Sequence, residues 1–137
     1  MESRHTLRLF LPEDAVEFPT LTQYGVTGEK VPQPAFVGVS GGKLVACGGI
    51  VTLRPGVGEA WGILKYRGNG HDLWFARASR DLMDDMMRSG KYRRIQATIK
   101  DVPELHRYMT FLRFTAEGRL RAYGQDGEDQ WMYARVR

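Results

Sequence analysis

Apolar and polar positions along this chain follow two rhythms, extended runs broken by turn residues and a run with helical spacing. Near the start, Thr6-Leu7-Arg8-Leu9-Phe10 reads as a short strand. Pro12-Glu13-Asp14 reads as a helix start, with proline early and acids in the first turn. Pro19 limits that helix to a couple of turns. Residues 24–34, with two glycines and two prolines, read as a loop.

Regular patterning then resumes. Residues 35–39 form an expected strand, and residues 44–53 the returning one. Between them Ser40-Gly41-Gly42-Lys43 is a hairpin connection whose glycines accept positive φ without steric cost. A second turn covers 54–58 and a third strand 59–64, which predicts an antiparallel meander. Residues 65–70 make a glycine-bearing loop. Residues 71–89 carry the strongest helical pattern: Leu82, Met83, Met86 and Met87 recur at helical spacing, while Asp81, Asp84 and Asp85 fall on other faces. The methionines read as core packing. Gly90 stands where a glycine just past a helix end belongs. Residues 95–99 are a strand directly after this helix, which allows a right-handed β-α-β crossover from strand 59–64. A second helix opens at Pro103-Glu104-Leu105 and reaches about Leu112. Two last strands, 114–123 and 130–136, flank Gly124-Gln125-Asp126-Gly127-Glu128, an Asp-Gly hairpin signal. This order predicts one α/β domain over 1–137, with a central mixed, mostly antiparallel sheet and helices on both faces.

Composition narrows the class without changing that picture. A chain of 137 residues suits one domain large enough to bury a core without disulfides or metals. The hydrophobic share of 42% excludes a disordered chain. Cys47 is the only cysteine, so an intrachain disulfide and a cysteine cluster are excluded, and it reads as a small buried hydrophobe in a strand. A single thiol and no secretory signal place the expected location in a reducing cytoplasm. No run approaches the roughly 20 apolar residues that span a bilayer. The formal charge of +4 is mild and spread along the chain, although Arg119, Arg121, Arg135 and Arg137 gather toward the C-terminal end. Without stacking aromatics interleaved among the charges, this balance suits an anionic ligand better than a nucleic acid.

The loop Lys65-Tyr66-Arg67-Gly68-Asn69-Gly70 is where chemistry enters. Backbone N–H groups at a helix N-terminus have no intrahelical partner, and the helix dipole favours an anion there. Gly68 and Gly70 let backbone approach a phosphate closely, and Lys65 and Arg67 add charge. Asp72 in the first turn offers the opposite reading, a carboxylate that caps the helix itself. A plain tight turn is the other reading of the two glycines.

With this loop between a strand and a long helix, the chain resembles the GNAT superfamily of N-acetyltransferase-like proteins. The family's signature follows its fourth strand and reads Gln/Arg-x-x-Gly-x-Gly/Ala, commonly as Tyr-Arg-Gly-x-Gly; here it is Tyr66-Arg67-Gly68-Asn69-Gly70, with Asp72 at the last position in place of Gly/Ala. The resemblance covers roughly 35–137. It implies acetyl-CoA as co-substrate, held by Ile63, Leu64, Lys65, Arg67, Gly68, Asn69, Gly70 and His71. It also implies that strands 59–64 and 95–99 run parallel and splay near Leu64. A second stretch, Leu112-Arg113-Phe114-Thr115-Ala116-Glu117-Gly118, matches the family's Leu-Gly-Phe corner and Glu-Gly segment, with Arg113 in the glycine's place. The run 118–124, Asp126-Gly127 and Tyr133-Ala134-Arg135 resemble a subgroup of phage-encoded acetyltransferase-like proteins, some described as internal virion proteins. The first 34 residues are shorter than the family's two leading helices, which normally help build the acceptor site.

Acetyl transfer needs an amine that loses a proton, a donor to the thioester carbonyl and a proton for the leaving thiolate. The resemblance assigns the carbonyl donor to a backbone N–H at Gly62, Ile63 or Leu64, and the general base to Glu59, whose plainer reading is an exposed carboxylate at a strand entrance. The family's general acid is a tyrosine five residues before the corner phenylalanine. Counting back from Phe114 gives Met109, and Tyr108 is its neighbour, turned by about 100° on a helix. His71 and His106 are alternatives, and a lone histidine is more often a hydrogen-bonded structural residue. No metal-ligand spacing stands out. Two functions remain: an acyl-CoA-dependent N-acetyltransferase acting on an amine, small molecule or protein; and a non-catalytic phage structural or host-interaction protein on the same fold. A homodimer or virion contacts are the partners each would add, and no membrane is expected.

Overall fold

A computed structural model describes residues 5–23 and 31–137, so most of the loop expected at 24–34 lies outside the described residues. The elements run β1 (His5–Leu9), a 3-10 helix (Pro12–Glu17), α1 (Pro19–Gln23), β2 (Ala35–Ser40), β3 (Lys43–Arg54), β4 (Val57–Leu64), α2 (His71–Arg88), β5 (Arg94–Lys100), α3 (Pro103–Phe111), β6 (Thr115–Leu120) and β7 (Gln130–Val136). The seven strands form one sheet in the order β1-β2-β3-β4-β5-β7-β6. β4 and β5 run parallel, and β1-β2, β2-β3, β5-β7 and β6-β7 are antiparallel. The fold is therefore mixed α/β with a mostly antiparallel sheet, as the element order requires.

Three departures from the sequence pattern exceed a single residue, each for a local reason. Pro19 starts a helix instead of only ending one, because its fixed φ suits a first helical position. β4 begins at Val57, since Gly56 at φ +82° confines the turn to a tight bend. β6 stops at Leu120 and not at Tyr123, because Ala122 takes φ +53° and its N–H donates to Oδ1 of Asp129 at 2.9 Å, which replaces a ladder bond.

The chain divides into two compact units, Met1–Val51 with Ala60–Phe75 and Thr52–Glu59 with Ala76–Arg137. In the first unit, β1 pairs with β2 along its full length, and a bulge at Gly38/Val39 interrupts β2-β3. The core gathers Phe10, Ala15, Phe18, Leu21, Val31, Ala35, Val37 and Cys47, with Trp61 and Ile63 packed on it. Burial pushes the Cys47 thiol up to about 12, with the Asp14 charge adding to it, so this thiol stays protonated and unreactive.

Among the described residues Asp14 is the buried charge of this unit, 5% exposed. Arg8 donates to both its oxygens, at 2.8 and 2.9 Å, and the Leu11 N–H donates at 2.7 Å. These bonds, Arg8's first, outweigh burial and hold the carboxyl below its usual range. A depressed folded-state pKa stabilises above the unfolded value and ceases to do so as pH falls through the folded one. Asp14→Asn is expected to cost about 2 kcal/mol at pH 7, the scale of hydrogen bonds to a charged group. In urea titrations the gap between parent and variant should shrink steadily below the ordinary carboxylate range. A gap that persists undiminished at acid pH would remove Asp14's charge from the explanation.

In the second unit, β4 pairs with β5 over Val57–Glu59 and Arg94–Gln96 only, and β5 pairs with β7 over seven residues. Ile95, Ala97 and Ile99 are buried on one face of β5. Ala97 lies opposite Tyr133 in β7, whose hydroxyl meets His106 of α3, so α3 covers this face. Arg94 and Gln96 alternate onto the other face. Met83 is buried on α2, with Leu82, Met86 and Met87 half-buried, as core packing demands. α3 closes at Arg113, which takes φ +67° in the place the family gives to glycine. Left-handed backbone costs a residue with a Cβ about 1–2 kcal/mol. Its exposed contact to Asp84, at 3.2 Å, returns little. Arg113→Gly should therefore raise stability by about 0.5–1 kcal/mol after the entropy of glycine is counted. A lowered melting temperature would show that the Asp84 contact matters more.

Candidate functional site

The chain leaves β4 at Leu64 and enters α2 at His71 through a loop whose backbone is left-handed at three successive residues: Gly68 at φ +81°, Asn69 at +52° and Gly70 at +79°. A Cβ added at Gly68 or Gly70 would meet nothing within 4 Å. Conformation, and not crowding, reserves these two positions for glycine, and asparagine is among the few other residues that tolerate it. The Trp74 N–H donates to the Gly70 carbonyl at 3.0 Å, so the helical ladder starts at Gly70. His71 N–H donates to the Gly68 carbonyl at 3.0 Å, and Gly68 N–H donates to Asp72 Oδ1 at 2.6 Å. Among the described residues the amides of Asn69, Gly70, Asp72 and Leu73 have no protein acceptor. Both readings of Asp72 thus meet here. Its carboxylate occupies one loop amide and leaves a group of others at the positive end of α2.

The charges around this loop divide. Arg67 is exposed and has no partner among the described residues. Lys65 is committed elsewhere: its Nζ lies 3.2 Å from Glu17 Oε1 and near the rings of Phe18 and Tyr66. Its backbone N–H donates to the Val45 carbonyl at 2.8 Å. Ile63 packs on the core beside Trp61, and Leu64 is half-buried. At Gly62 a Cβ would fall 3.0 Å from the Phe75 ring, which would have to give by a few tenths of an ångström to admit it. Chain position alone grouped these residues, and the fold gathers the loop, Arg67 and His71 in one unit.

Glu59 and Tyr108 sit in the second unit and face different surroundings. Glu59 Oε1 accepts from Gln96 Nε2 at 3.3 Å. Arg94 Nε donates to Gln96 Oε1 at 2.9 Å, which fixes which end of the amide faces Glu59, and Glu117 holds the Arg94 guanidinium through two bonds of 2.9 and 2.6 Å. Tyr108 lies on α3, and burial pushes its phenol up to about 12, with a hydrogen bond to Ser79 of α2 working the other way. Strand alternation puts Glu59 on the face of Gln96, opposite the face that α3 covers.

Two clusters were not legible beforehand. His106 Nδ1 lies 2.6 Å from the Tyr133 hydroxyl and its Nε2 2.8 Å from Asp101 Oδ1. His106 is thus no lone histidine but the middle of a hydrogen-bonded row. His5, 66 residues away in sequence, meets His71. No local pattern signals either pairing. Among the described residues no group of three or more potential metal ligands comes together, and no helix is long and apolar enough to cross a membrane.

No family model matches the sequence, and no curated protein matches it. Solved structures do share the fold. Ribosomal-protein-S5-alanine acetyltransferase from Vibrio fischeri aligns with TM-score 0.72 at 18% identity, covering 99% of this chain and 97% of that one. An acetyltransferase of the GNAT family from Streptococcus pneumoniae aligns with TM-score 0.75 at 15% identity, covering 98% and 100%. The yncA protein from Salmonella typhimurium, solved with its cofactor acetyl-CoA, aligns with TM-score 0.69 at 14% identity, covering 96% and 93%. At these identities the likeness establishes the fold, a GNAT-like one over essentially the whole chain.

Proposed function

We propose that this chain is an acetyl-CoA-dependent N-acetyltransferase working as one domain over residues 1–137. The observation that carries the proposal is the left-handed loop Gly68-Asn69-Gly70 with unpartnered amides at the head of α2, on a fold it shares with acetyltransferases. Those amides, with Arg67 and His71 beside them, suit the pyrophosphate of coenzyme A. Lys65 adjoins them, but its charge is shared with Glu17 and its backbone N–H is spent on the Val45 carbonyl, so its carbonyl and aliphatic stem are what it has left for the carrier. Backbone at Ile63 and Leu64 would take the pantetheine arm and the thioester carbonyl.

In the transfer itself the amine nitrogen bonds to the thioester carbon, the carbon–sulfur bond breaks, and one proton passes from the amine to solvent or base while the thiolate takes another. Glu59 is the proposed base. Its carboxylate is oriented by Gln96 and keeps its second oxygen for the amine or a bridging water. Tyr108 is the proposed acid, which would serve the thiolate from the face that α3 covers while Glu59 serves the amine from the opposite face. A phenol pushed up to about 12 stays protonated at neutral pH, the state an acid needs, and it has to leave Ser79 to act.

One observation favours a second reading, a non-catalytic protein on this fold, as a phage structural or host-interaction protein would be: Tyr108 is buried and engaged with Ser79, and Met109 occupies the acid's usual position. The two readings part in one experiment. Acetyl-CoA at 100 times its dissociation constant should stabilise the protein by about 2.7 kcal/mol, read as a rise in melting temperature. Free-thiol release with a panel of amines, from spermidine to peptides with free N-termini, should follow. Absence of binding would sink the enzyme reading; binding with no thiol release from any amine would favour the second.

A further inference from the structure

His71, the first residue of α2, places Nδ1 2.6 Å from Nε2 of His5 in β1. The rings meet edge-on, their centroids 4.9 Å apart. His5 lies flat on Trp74 of α2, with centroids 5.0 Å apart and planes 15° apart. Trp74 reaches this position because Gly38 of β2 has no side chain; a Cβ there would fall 2.5 Å from the indole Cζ3. A gap in β2 thus seats Trp74, Trp74 seats His5, and His5 seats the imidazole of His71 at the edge of the glycine loop.

Two imidazole nitrogens at this distance share one proton, so one ring donates and the other accepts. If His5 Nε2 donates, His71 Nδ1 accepts, and neutral His71 carries its proton on Nε2. That nitrogen has no protein partner among the described residues. In the reverse arrangement Nε2 of a neutral His71 is a bare lone pair, which an anion repels. The Asp72 carboxylate is spent on the Gly68 amide and does not claim the imidazole. An anion at the loop amides therefore favours the forms of His71 that carry a proton on Nε2, the neutral tautomer that accepts from His5 or the imidazolium that donates to it.

We infer that His71 Nε2–H is a side-chain donor to the phosphate groups of the bound thioester carrier, and that His5 is the positioning residue that engages Nδ1 and holds the ring in place. The inference rests on the acetyl-CoA reading and deepens it, adding a side-chain contact to the backbone amides and naming a residue of β1 as part of the cofactor site. Calorimetric titration tests it with two ligands, acetyl-CoA and acetyl-pantetheine, which lacks the nucleotide phosphates. His5→Phe keeps the stack on Trp74 but cannot hold His71, and His71→Phe removes the donor. Each should weaken acetyl-CoA about tenfold, the scale of one hydrogen bond to a charged group, and leave acetyl-pantetheine unchanged. His71→Gln, which can still donate, should recover part of the loss. Unchanged acetyl-CoA affinity in both phenylalanine variants would overturn the inference, as would equal weakening of the two ligands. A measurement that needs no variant is the long-range nitrogen–proton spectrum of the labelled parent with acetyl-CoA: His71 protonated on Nε2 is expected, and protonation on Nδ1 alone would overturn the assignment. A parent that binds no acetyl-CoA at all is a different outcome, since it removes the functional reading and this inference with it.

Discussion

Gly70→Val is expected to abolish acetyl-CoA binding in calorimetry, a loss of more than about 100-fold, while the protein melts cooperatively close to the parent temperature. Gly70 sits at φ +79°. A β-branched residue pays about 1–2 kcal/mol or more for left-handed backbone, and the loop relieves that cost by turning its peptide planes. Those planes carry the unpartnered N–H groups of Asn69 and Gly70. Charge-assisted bonds to phosphate are the strong ones and depend on direction, so a rotated loop forfeits several at once. The fold survives because nothing lies within 4 Å of the added Cβ, and the buried contacts of α2 sit further along, around Met83. Gly70→Ala should fall between parent and valine, since alanine enters the left-handed region at lower cost. Parent-like affinity in the valine variant would strike the loop from the cofactor site.

The sequence disclosed this loop because its signal is local. Gly68, Asn69 and Gly70 are adjacent, the strand before them is an apolar run, and the helix after them repeats Leu82, Met83, Met86 and Met87. The meander was legible for the same reason: Gly41 and Gly42, at φ +57° and +78°, are the residues a tight hairpin needs. What pattern could not supply was pairing between distant segments. β7 lies between β5 and β6, so the last two strands do not follow chain order. Lys65 has the same charge on paper as Arg67, yet only the fold shows Glu17 beside it. Tyr108 stands out in the sequence only as the neighbour of Met109, the residue five before Phe114, and spacing along a helix does not reveal Ser79 beside it. His5, separated from His71 by 66 residues, carried no signal of its own.

Tyr92 makes the same point through stability, and replacing it should give a large folding defect. It lies between Gly90 and β5, where no periodicity marks it as core, yet it is fully buried at 0% exposure. Its hydroxyl meets Thr52 Oγ1 of β3 at 2.8 Å, so the ring fills the interior of the second unit and its one polar atom is satisfied. Tyr92→Ala should cost about 3–5 kcal/mol, the range for removing a buried aromatic ring and leaving a cavity. Against a typical total of about 5–15 kcal/mol, that leaves a fold near its margin at room temperature. Tyr92→Phe separates packing from hydrogen bonding. It keeps the ring and loses only the bond to Thr52, whose exposed hydroxyl can turn to water, so about 1 kcal/mol is expected. Urea unfolding of both variants checks the pair. A phenylalanine variant as unstable as the alanine one would mean that the Thr52 bond, and not the buried ring, ties β3 to the segment entering β5.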